Sequence, residues 1–346
     1  MTFAVERVLR LAEKRSITKG FTAERLSAGD VLRPPKRSER LRQRAAWMYF
    51  VEEMTQSAIA EALGVGRVTV VRMLAEAKAL GEVRIALSRG DAELGGLEAA
   101  LCGLHGLSEA IVAPLSSESA DPTAPIAAAL GDHISALLRN DMKIGLGWGR
   151  TLKSSLEYLS ERSLKGLSVV SLVGGVTHFA HDNPAEFPSA FARAFDAECY
   201  LIPSPALVDS PATKAALIER CGLKSVYDFA KALDAVVVSA GSLGPEAAIA
   251  RFALIGEADR KTLSEYGGVG EMLCNVYDRE GQILDHPLNQ RVMSVPLEAV
   301  RAAPIRVLAA GGEHKQAAIA GALKLLKPTT LVTDAATARR LTEGHR

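Results

Sequence analysis

Apolar residues near the beginning of the chain recur three and four positions apart in three short blocks, the spacing of one helix face. The first block, residues 39–53, predicts a helix with a buried stripe. The residues expected in that stripe are Leu41, Ala45, Met48, Tyr49 and Val51. Helices this short are marginal alone, so the following blocks are expected to cover its apolar side.

The second block predicts a helix of about two turns that begins after Thr55. The hydroxyl of Thr55 suits an N-cap, and Gly64 suits the tight turn at the other end, where a positive φ is often needed. Val65 is expected to plug the space before a third helix, which starts near Gly66. The residues of the second helix expected to face the shared core are Ile59, Ala60 and Leu63.

The third block has an apolar side and a polar leading edge. Val70 and Leu74 are predicted to face the core, with Val71 and Ala77 as further candidates. The residues expected on the outer and leading surfaces are Arg67, Thr69, Arg72 and Met73. This pattern is typical of the recognition helix of a helix-turn-helix, whose first residues reach base edges. Short paired helices also occur in all-α proteins, so spacing alone leaves that alternative open.

Two further segments connect this region to the rest of the chain. Residues 81–87 alternate like a strand, which fits a wing, a short tail hairpin or an ordinary strand in a linker. Residues 91–105 predict a helix that links domains or pairs with another subunit.

Beyond residue 105, strand-like and helical segments alternate, which predicts an α/β domain with a largely parallel sheet. The predicted strands are 143–148, 168–175, 198–203, 235–242, 304–312 and 329–334. The predicted helices are 122–139, 151–162, 211–232 in two pieces, 245–253 and 314–326. Several strands end in glycine, and ligands of open α/β sheets bind outside the carboxyl ends of the strands.

The composition fits a globular protein of two or three domains. The chain has 346 residues, of which 48% are hydrophobic and 23% charged. No apolar run reaches the length of about 20 residues that crosses a bilayer, so we expect a cytoplasmic protein without a membrane partner. The four cysteines are scattered, unlike those of zinc or dithiol motifs, and are expected to be reduced: Cys102, Cys199, Cys221 and Cys274.

The net charge of +1 conceals a basic arm before and within the first predicted helix. Between Val31 and Ala46, six cations accompany a single acid, Glu39. These cations are Arg33, Lys36, Arg37, Arg40, Arg42 and Arg44. Such an arm attracts nucleic-acid phosphates, although a solvated leader without a partner has the same composition.

A glycine-rich loop after the strand at 143–148 is the sharpest candidate ligand site. Gly145, Gly147 and Gly149 leave the strand, and Arg150 and Thr151 begin a helix. Backbone N–H groups, a hydroxyl and a guanidinium therefore converge, which favours an anion or a hydroxyl-rich ligand. The spacing is neither a dinucleotide fingerprint nor a P-loop, so no cofactor is expected. The structural alternative is a turn that only packs the helix on the strand.

Several separated motifs resemble the SorC-type sugar-responsive transcriptional regulators of bacteria, which are also grouped with DeoR-type regulators. The likeness runs from about residue 41 to 341. The motifs are MTQSAIAEALGVGRVTVVRMLAEAKALGEV, IGLGWGRTL, VVSLVGG, GGVGEMLCNVYDREG and IRVLAAGGEHKQAAIAGAL. The order and spacing of all five carry the resemblance.

The resemblance implies a DNA-binding regulator of carbohydrate or polyol catabolic genes. Its effector domain would have the Rossmann-like fold of sugar-phosphate isomerases and deaminases, would be catalytically idle, and would form a homo-oligomer, a dimer or a tetramer, on operator DNA. The residues implied to surround a sugar, polyol or sugar phosphate are Gly147, Trp148, Gly149, Arg150, Thr151, Gly174, Gly175, Glu271 and Lys315. The residues expected to contact DNA are Thr55, Gln56, Arg67, Thr69 and Arg72.

The chain departs from the family pattern at four of these motif positions. Gly66 and Val71 stand where serines are common, which removes two hydroxyls from the recognition segment. Cys274 and Asn275 stand where a small residue and a basic or polar residue are common.

The sequence alone leaves two other functions open, an active enzyme and a metal site. An active isomerase or deaminase would use Glu271 as a base and Lys315 or Arg150 on phosphate, but it needs a second acid or base. The cluster His178, His181 and Asp182 resembles a metal site only weakly, so no metal is expected.

We predict four segments along the chain. They are a flexible basic leader (1–35), a helix-turn-helix DNA-binding domain (36–88), a linker or oligomerisation helix (89–108) and a sugar-binding effector domain (109–346).

Overall fold

A computed structural model describes residues 37–80, 82–83, 92–117, 120–160, 162–176, 186–252 and 254–343. The leader predicted at 1–35, most of the strand predicted at 81–87, and the cluster His178, His181 and Asp182 lie outside these residues. The chain divides into two compact units, Met1–Ile85 and Ala86–Arg346.

Three helices make up the described part of the N-terminal unit: α1 (Arg37–Phe50), α2 (Gln56–Leu63) and α3 (Arg67–Ala79). The Thr55 hydroxyl caps α2 by accepting a hydrogen bond from the N–H of Ala58 at 3.2 Å. Gly64 ends α2 in the left-handed conformation, with φ 64° and ψ 36°. Both features confirm the predictions made for the two ends of α2.

The core of this unit lies where the three helices meet. Its fully buried side chains are Ala45, Ile59, Val70 and Ala77, with Ala46, Met48, Ala60 and Leu74 close to them. Val65 packs against this cluster as predicted. Four expectations were wrong. Tyr49 and Val71 are exposed and Met73 packs partly against the core, because each helix turns only one face to the core. Val51 is exposed because α1 ends at Phe50.

One arginine of the basic arm forms an ion pair within the unit, and three others are exposed. Arg42 donates from Nε and Nη2 to the Glu82 carboxylate at 2.7 and 2.6 Å, which ties α1 to the segment after α3. Arg37, Arg40 and Arg44 are exposed and lie three and four positions apart, on one side of α1. Arg42 therefore serves the fold, and the other three arginines face solvent.

A seven-stranded, all-parallel sheet forms the centre of the C-terminal unit. Its strands are β1 (Glu109–Ala113), β2 (Lys143–Leu146), β3 (Ser168–Ser171), β4 (Glu198–Tyr200), β5 (Ala235–Val238), β8 (Ile305–Ala309) and β9 (Thr330–Asp334). The order across the sheet is β1-β9-β8-β5-β2-β3-β4. A separate antiparallel hairpin joins β6 (Gly270–Met272) to β7 (Asn275–Tyr277).

Helices cover both faces of the sheet. Those of the first half are α4 (Ala92–His105), α5 (Thr123–Leu137), α6 (Arg150–Ser154), α7 (Glu186–Ala194), α8 (Pro211–Arg220) and α9 (Lys224–Phe229). Those of the second half are α10 (Ala248–Arg251), α11 (Glu257–Glu265), α12 (Pro287–Gln290), α13 (Leu297–Ala302), α14 (Gln316–Leu326) and α15 (Ala335–Glu343). One apolar cluster packs α5, α6 and α7 on the sheet, and a second packs α4, α9, α13, α14 and α15 on the other face.

The strand order reverses between β2 and β5. From β2 the chain moves outward to β3 and β4, then returns to place β5 on the other side of β2, with β8 and β9 beyond it. Loops leaving β2 and β5 therefore diverge to opposite faces and leave a crevice at the carboxyl ends of these strands.

The sequence predicted six of the seven parallel strands. It missed β1, the β6–β7 hairpin and the helices α7, α11, α12, α13 and α15. The helix predicted at 151–162 is shorter, because α6 gives way to a 3-10 turn at Ser155–Tyr158. Among the described residues, no helix is long and apolar enough to cross a membrane. All four cysteines are free.

Candidate functional site

Four loops meet at the crevice where the strand order reverses. They follow β2, β5 and β8, and the fourth is the β6–β7 hairpin, which crosses the end of β5. The predicted residues Gly147 to Thr151 lie in the first loop, Glu271 in the hairpin, and Lys315 in the loop after β8. The fold therefore brings these separated parts of the sequence to one edge of the sheet.

The loop after β2 needs glycine at two positions. Gly149 has φ 143°, which side-chain-bearing residues rarely adopt. Gly147 donates its N–H to the carbonyl of Val237 in β5 at 2.9 Å, and an added Cβ would lie 3.1 Å from the Leu273 side chain. Arg150 and Thr151 then begin α6, with Arg150 exposed and Thr151 buried. The glycines thus serve the packing of this loop, since Gly147 is buried with its N–H bonded to β5 and Gly149 allows the turn before α6.

Glu271 lies directly over the end of β5. Its backbone exchanges two hydrogen bonds with Gly241, at 2.9 and 2.8 Å, and its carboxylate accepts the N–H of Cys274 at 2.8 Å. Only 8% of the residue is exposed. Burial raises the pKa of this carboxyl, while the Cys274 N–H and the Lys315 ammonium oppose that rise. Glu271 is a buried acceptor held in a fixed orientation.

The turn that holds Glu271 has an unusual backbone. Leu273 and Cys274, the two residues between β6 and β7, have φ values of 52° and 65°. Two-residue hairpin turns favour asparagine or glycine at such positions, and a non-glycine residue there costs about 1 kcal/mol or more. Burial of both side chains and three hydrogen bonds from the Asn275 amide, to Met272, Leu273 and Ser294, stabilise the turn.

Lys315 belongs to a loop that Asp334 fixes in place. The Asp334 carboxylate, at the end of β9, accepts the N–H of Gly312 at 3.0 Å and the hydroxyl of Thr337 at 2.7 Å. Gly311 is required here, since a Cβ would collide with that carboxylate. Lys315 follows in the 3-10 turn before α14. Desolvation and the nearby Arg150 lower the pKa of its ammonium, and Glu271 and Asp121 oppose that effect.

Arg150 faces a second acid across the crevice. Its Nη2 lies 3.8 Å from an oxygen of Asp121, and both side chains are mostly exposed. Asp121 also accepts the Thr123 hydroxyl at 2.6 Å and its N–H at 3.0 Å. Hydrogen bonds from Thr123 lower the pKa of Asp121, and the positive charges of Arg150 and Lys315 lower it further. An exposed pair at this distance is weak, so an anionic ligand can replace Asp121 beside Arg150 at little cost.

Gly174, Gly175 and Trp148 serve the packing around the crevice. The N–H groups of Gly174 and Gly175 donate to the carbonyls of Met293 and Ser204, both at 2.8 Å. A Cβ on Gly174 would lie 2.6 Å from the Ser204 oxygen, so this glycine permits a close backbone approach. Trp148 is buried and stacks on Phe252, with ring centroids 5.8 Å apart. Any ligand contact from the two glycines must therefore use atoms other than their N–H groups.

Two open grooves adjoin this region. A cleft of about 560 Å³ lies beside the charged crevice, lined by Ser242, Gly244, Arg260, Lys261 and His314 among others. The pKa of His314 is lowered by burial and by Lys315 and Arg150. A larger groove of about 730 Å³ lies along α8, α9 and α13, and its acids and lysines are mixed. The smaller cleft is the better candidate, because its lining residue His314 directly precedes Lys315 and is within reach of the charges of Lys315 and Arg150.

Sequence reasoning missed three residues that shape the site: Asp121, Gly241 and Asp334. Asp121 precedes a proline and a threonine at the start of a predicted helix, which is a capping signal. Asp334 ends a predicted strand directly before α15 and had the same signal. Gly241 lies at the end of the predicted strand 235–242, but only the tertiary fold places it against the Glu271 carboxylate.

Replacing Gly241 with alanine is expected to displace Glu271 and weaken effector binding about tenfold, the scale of one hydrogen bond to a charged group. The new methyl would collide with the carboxylate. Gly103→Ala is the control, because its Cβ would meet nothing within 4 Å and it lies on α4, outside the cleft lining. Effector titrations followed by thermal shift compare the two variants, and equal affinities would contradict the assigned role of Glu271.

Replacing Glu271 with glutamine is expected to change how stability depends on pH. Because the folded pKa of Glu271 is raised, the folded state binds the extra proton between the unfolded and folded pKa values. Wild-type stability therefore falls as pH rises through that window, and the Glu271→Gln variant lacks this fall. Urea unfolding of both proteins from about pH 4 to about pH 8 measures the difference. A difference independent of pH contradicts the buried-carboxyl interpretation.

The residues expected to contact DNA lie on or beside α2 and α3. Thr55 is exposed and Gln56 is half-buried at the start of α2. Arg67 and Arg72 are exposed on α3, and Thr69 is half-buried on its leading turn. Gly66 precedes α3 without a side-chain cap.

Comparisons with known proteins agree with this architecture. Residues 92–343 match the family Sugar-bind, described as "Putative sugar-binding domain". The chain is 31% identical to the erythritol catabolism regulatory protein EryD of Brucella abortus, over 86% of this chain and 95% of that protein. It is 30% identical to the sorbitol operon regulator of Klebsiella pneumoniae, over 87% and 97%.

Solved structures show the same relationship. The chain is similar to the full-length sorbitol operon regulator SorC from Klebsiella pneumoniae, with a TM-score of 0.66 and 28% identity, over 88% of this chain and 98% of that one. A transcriptional regulator from Streptococcus pneumoniae matches with a TM-score of 0.68 and 21% identity over 74% of this chain, which indicates a shared fold. The family match and the 31% identity to a relative covered almost throughout show that the chain belongs to the SorC-type family of transcriptional regulators with a sugar-binding domain.

Proposed function

We propose that this protein is a DNA-binding switch for carbohydrate or polyol catabolic genes, controlled by a sugar, polyol or sugar phosphate in the crevice between β2 and β5. One observation carries the proposal: Glu271 is buried and fixed over the strand-order reversal, with the Lys315 ammonium near its carboxyl and Arg150 near that ammonium. The similar proteins from Brucella and Klebsiella are named for erythritol and sorbitol, both polyols.

The chemistry of the crevice favours a ligand with hydroxyls and an anionic group. A carboxylate that can accept hydrogen bonds suits hydroxyls, and Glu271 retains one oxygen that the Cys274 N–H does not use. Arg150 and Lys315 suit a phosphate, because hydrogen bonds between a cation and an anionic oxygen are stronger than those between neutral groups. In this proposal the effector contacts the residues predicted from the sequence: Gly147, Trp148, Gly149, Arg150, Thr151, Gly174, Gly175, Glu271 and Lys315. Its anionic group displaces the Asp121 carboxylate from Arg150.

The N-terminal unit acts as the helix-turn-helix in this proposal. The core side of α3 is occupied, and its N-terminal arginine and threonine are available to base edges. Thr55 and Gln56 at the start of α2 would approach the phosphates. Exposed Arg37, Arg40 and Arg44 on α1 add sequence-independent attraction.

Each of the four predicted segments has its own role in this proposal. They are the leader (1–35), the DNA-binding domain (36–88), the linker or oligomerisation helix (89–108) and the effector domain (109–346). The protein acts as a homo-oligomer on operator DNA, since symmetric half-sites need at least two recognition helices. Effector binding shifts operator affinity, and operator must then shift effector affinity by the same factor.

A second candidate function has one observation in its favour. Glu271 and Lys315 lie in one crevice, with the pKa of the acid raised and that of the lysine lowered, as in acid–base pairs of enzymes. An isomerase or deaminase related to the sugar-phosphate enzymes of this fold would use them. The similar proteins are named as regulators, so we propose that the crevice binds without turnover.

The experiment has two arms on the purified full-length chain. A thermal-shift screen of sugars, polyols and their phosphates is expected to identify a ligand that stabilises the protein by mass action. Selection from random duplexes is expected to yield an operator whose affinity that ligand changes. A ligand that is converted during incubation supports the enzyme instead, and a ligand that leaves operator affinity unchanged contradicts the switch.

A further inference from the structure

Helix α3 carries apolar residues on the side that faces away from its core. Val70, Leu74 and Ala77 are buried. Val68, Val71 and Ala75 recur three and four positions apart on the solvent side, where Val68 is 83% and Val71 45% exposed. We call Val68, Val71 and Ala75 the outer strip. Neither valine packs against the core of the N-terminal unit.

Local structure gives no reason for valine at these two positions. Exposed helix positions favour straight-chain residues, because β-branched side chains lose rotamer freedom in a helix. Val68 and Val71 therefore weaken α3 slightly, while Val68 buries little and Val71 is only partly covered in the isolated unit. A contact outside the unit is the remaining physical reason for an apolar strip.

The charges around the outer strip favour DNA as its partner. Arg67 and Arg72 are exposed and flank Val68 and Val71 along α3. Two copies of this surface would bring like charges together, which disfavours self-association. A duplex instead offers phosphates and guanine edges to arginine, and thymine C5-methyl groups to apolar side chains in the major groove.

We propose that the outer strip reads thymine methyl groups in each operator half-site, with Val68 and Val71 as specificity-determining residues. The inference rests on the proposed DNA-binding function. It assigns the arginines to phosphates or guanine and the valines to thymine, so the preferred half-site combines both bases. Each buried methyl is expected to change affinity about fourfold.

The test uses the selected operator and removes single methyl groups from the DNA. Each thymine is replaced in turn by deoxyuridine, which lacks only the C5-methyl, and full-length wild type, Val68→Ala and Val71→Ala are titrated by fluorescence anisotropy. At one or two positions, deoxyuridine is expected to weaken wild-type binding about fourfold and to have no effect on the matching alanine variant. Alanine favours the helix, so loss of folding does not explain this result.

Val51→Ala is the matched control, because Val51 is 57% exposed in the same unit but lies after α1. Val51→Ala is expected to lose as much affinity as wild type when thymine is replaced by deoxyuridine. If wild type binds a defined operator but every penalty persists in Val68→Ala and Val71→Ala, the inference is wrong while DNA binding stands. If these variants change in oligomeric mass while the deoxyuridine penalties stay the same, the outer strip makes a protein contact and the inference is also wrong. If wild type selects no duplex at all, the proposed function itself fails.

Discussion

Replacing Lys315 with alanine is expected to weaken binding of a phosphorylated effector by roughly tenfold to a hundredfold, the scale of a lost hydrogen bond between charged groups. Lys315 is partly buried at the crevice, and Arg150 and Glu271 both act on its charge. Its ammonium is a point charge on a loop that Asp334 fixes, so binding requires little reordering. Thermal-shift titration with the effector from the screen measures the loss.

Lys324→Ala is the control for this prediction. Lys324 lies in the same helix region but is paired with Glu280 at 2.7 Å on the surface, away from the crevice. It is expected to keep wild-type affinity, and operator binding without effector is expected to be unchanged in both variants. Equal effector affinity in Lys315→Ala and wild type would place the anion site elsewhere.

The lowered pKa of Lys315 adds a pH dependence to the same measurement. An anion bound beside the ammonium favours its charged form, so binding is accompanied by proton uptake where free Lys315 has begun to deprotonate. Affinity of the wild type therefore falls as pH rises through the lowered pKa. The Lys315→Ala variant is expected to lack this fall.

Replacing Arg67 with alanine is expected to weaken operator binding by about tenfold to a hundredfold and to relax the preference at one base pair. Arg67 is the first residue of α3 and is exposed, in the position from which a recognition helix reaches base edges. Anisotropy titrations on the operator and on single-base variants measure both effects.

Arg44→Ala separates this effect from general attraction to phosphate. Arg44 is exposed on α1, outside α3. Its loss is expected to weaken all duplexes alike and to reduce the slope of log affinity against log salt by about one. If Arg67→Ala changes only the salt slope, Arg67 contacts phosphate and the base readout belongs to other residues.

The helices of the N-terminal unit could be predicted because their signals are local. Thr55 and Gly64 have the conformations that their side chains favour, and the apolar spacing located Ile59, Val70 and Leu74 in the core. Val51 was misplaced because α1 ends at Phe50. The errors at Tyr49 and Val71 share another cause. A short helix has apolar residues on more than one side, and only the positions of its neighbours decide which side is buried.

The sequence predicted individual loops of the crevice but not how these loops come together. Glycines at the ends of strands located the loop after β2, because parallel strands present their carboxyl ends at one edge. The β6–β7 hairpin was missed, since Leu273 and Cys274 lack the residue types that mark such turns. The collision that makes Gly241 necessary depends on Glu271, thirty positions further along the chain, and cannot be read from either segment alone.

The sequence by itself determined the three helices, the α/β alternation, the glycine loop and the resemblance to SorC-type regulators, because these depend on periodicity and local backbone preference. The tertiary structure alone decided which residues share a site. The strand order places Arg150, Glu271 and Lys315 at one crevice, Asp121 beside Arg150, and Asp334 beneath the loop of Lys315. It also decided that Val68 and Val71 face solvent. Burial and the pKa shifts that follow from it depend on distances between segments remote in sequence, and these distances are set only when the sheet and helices pack.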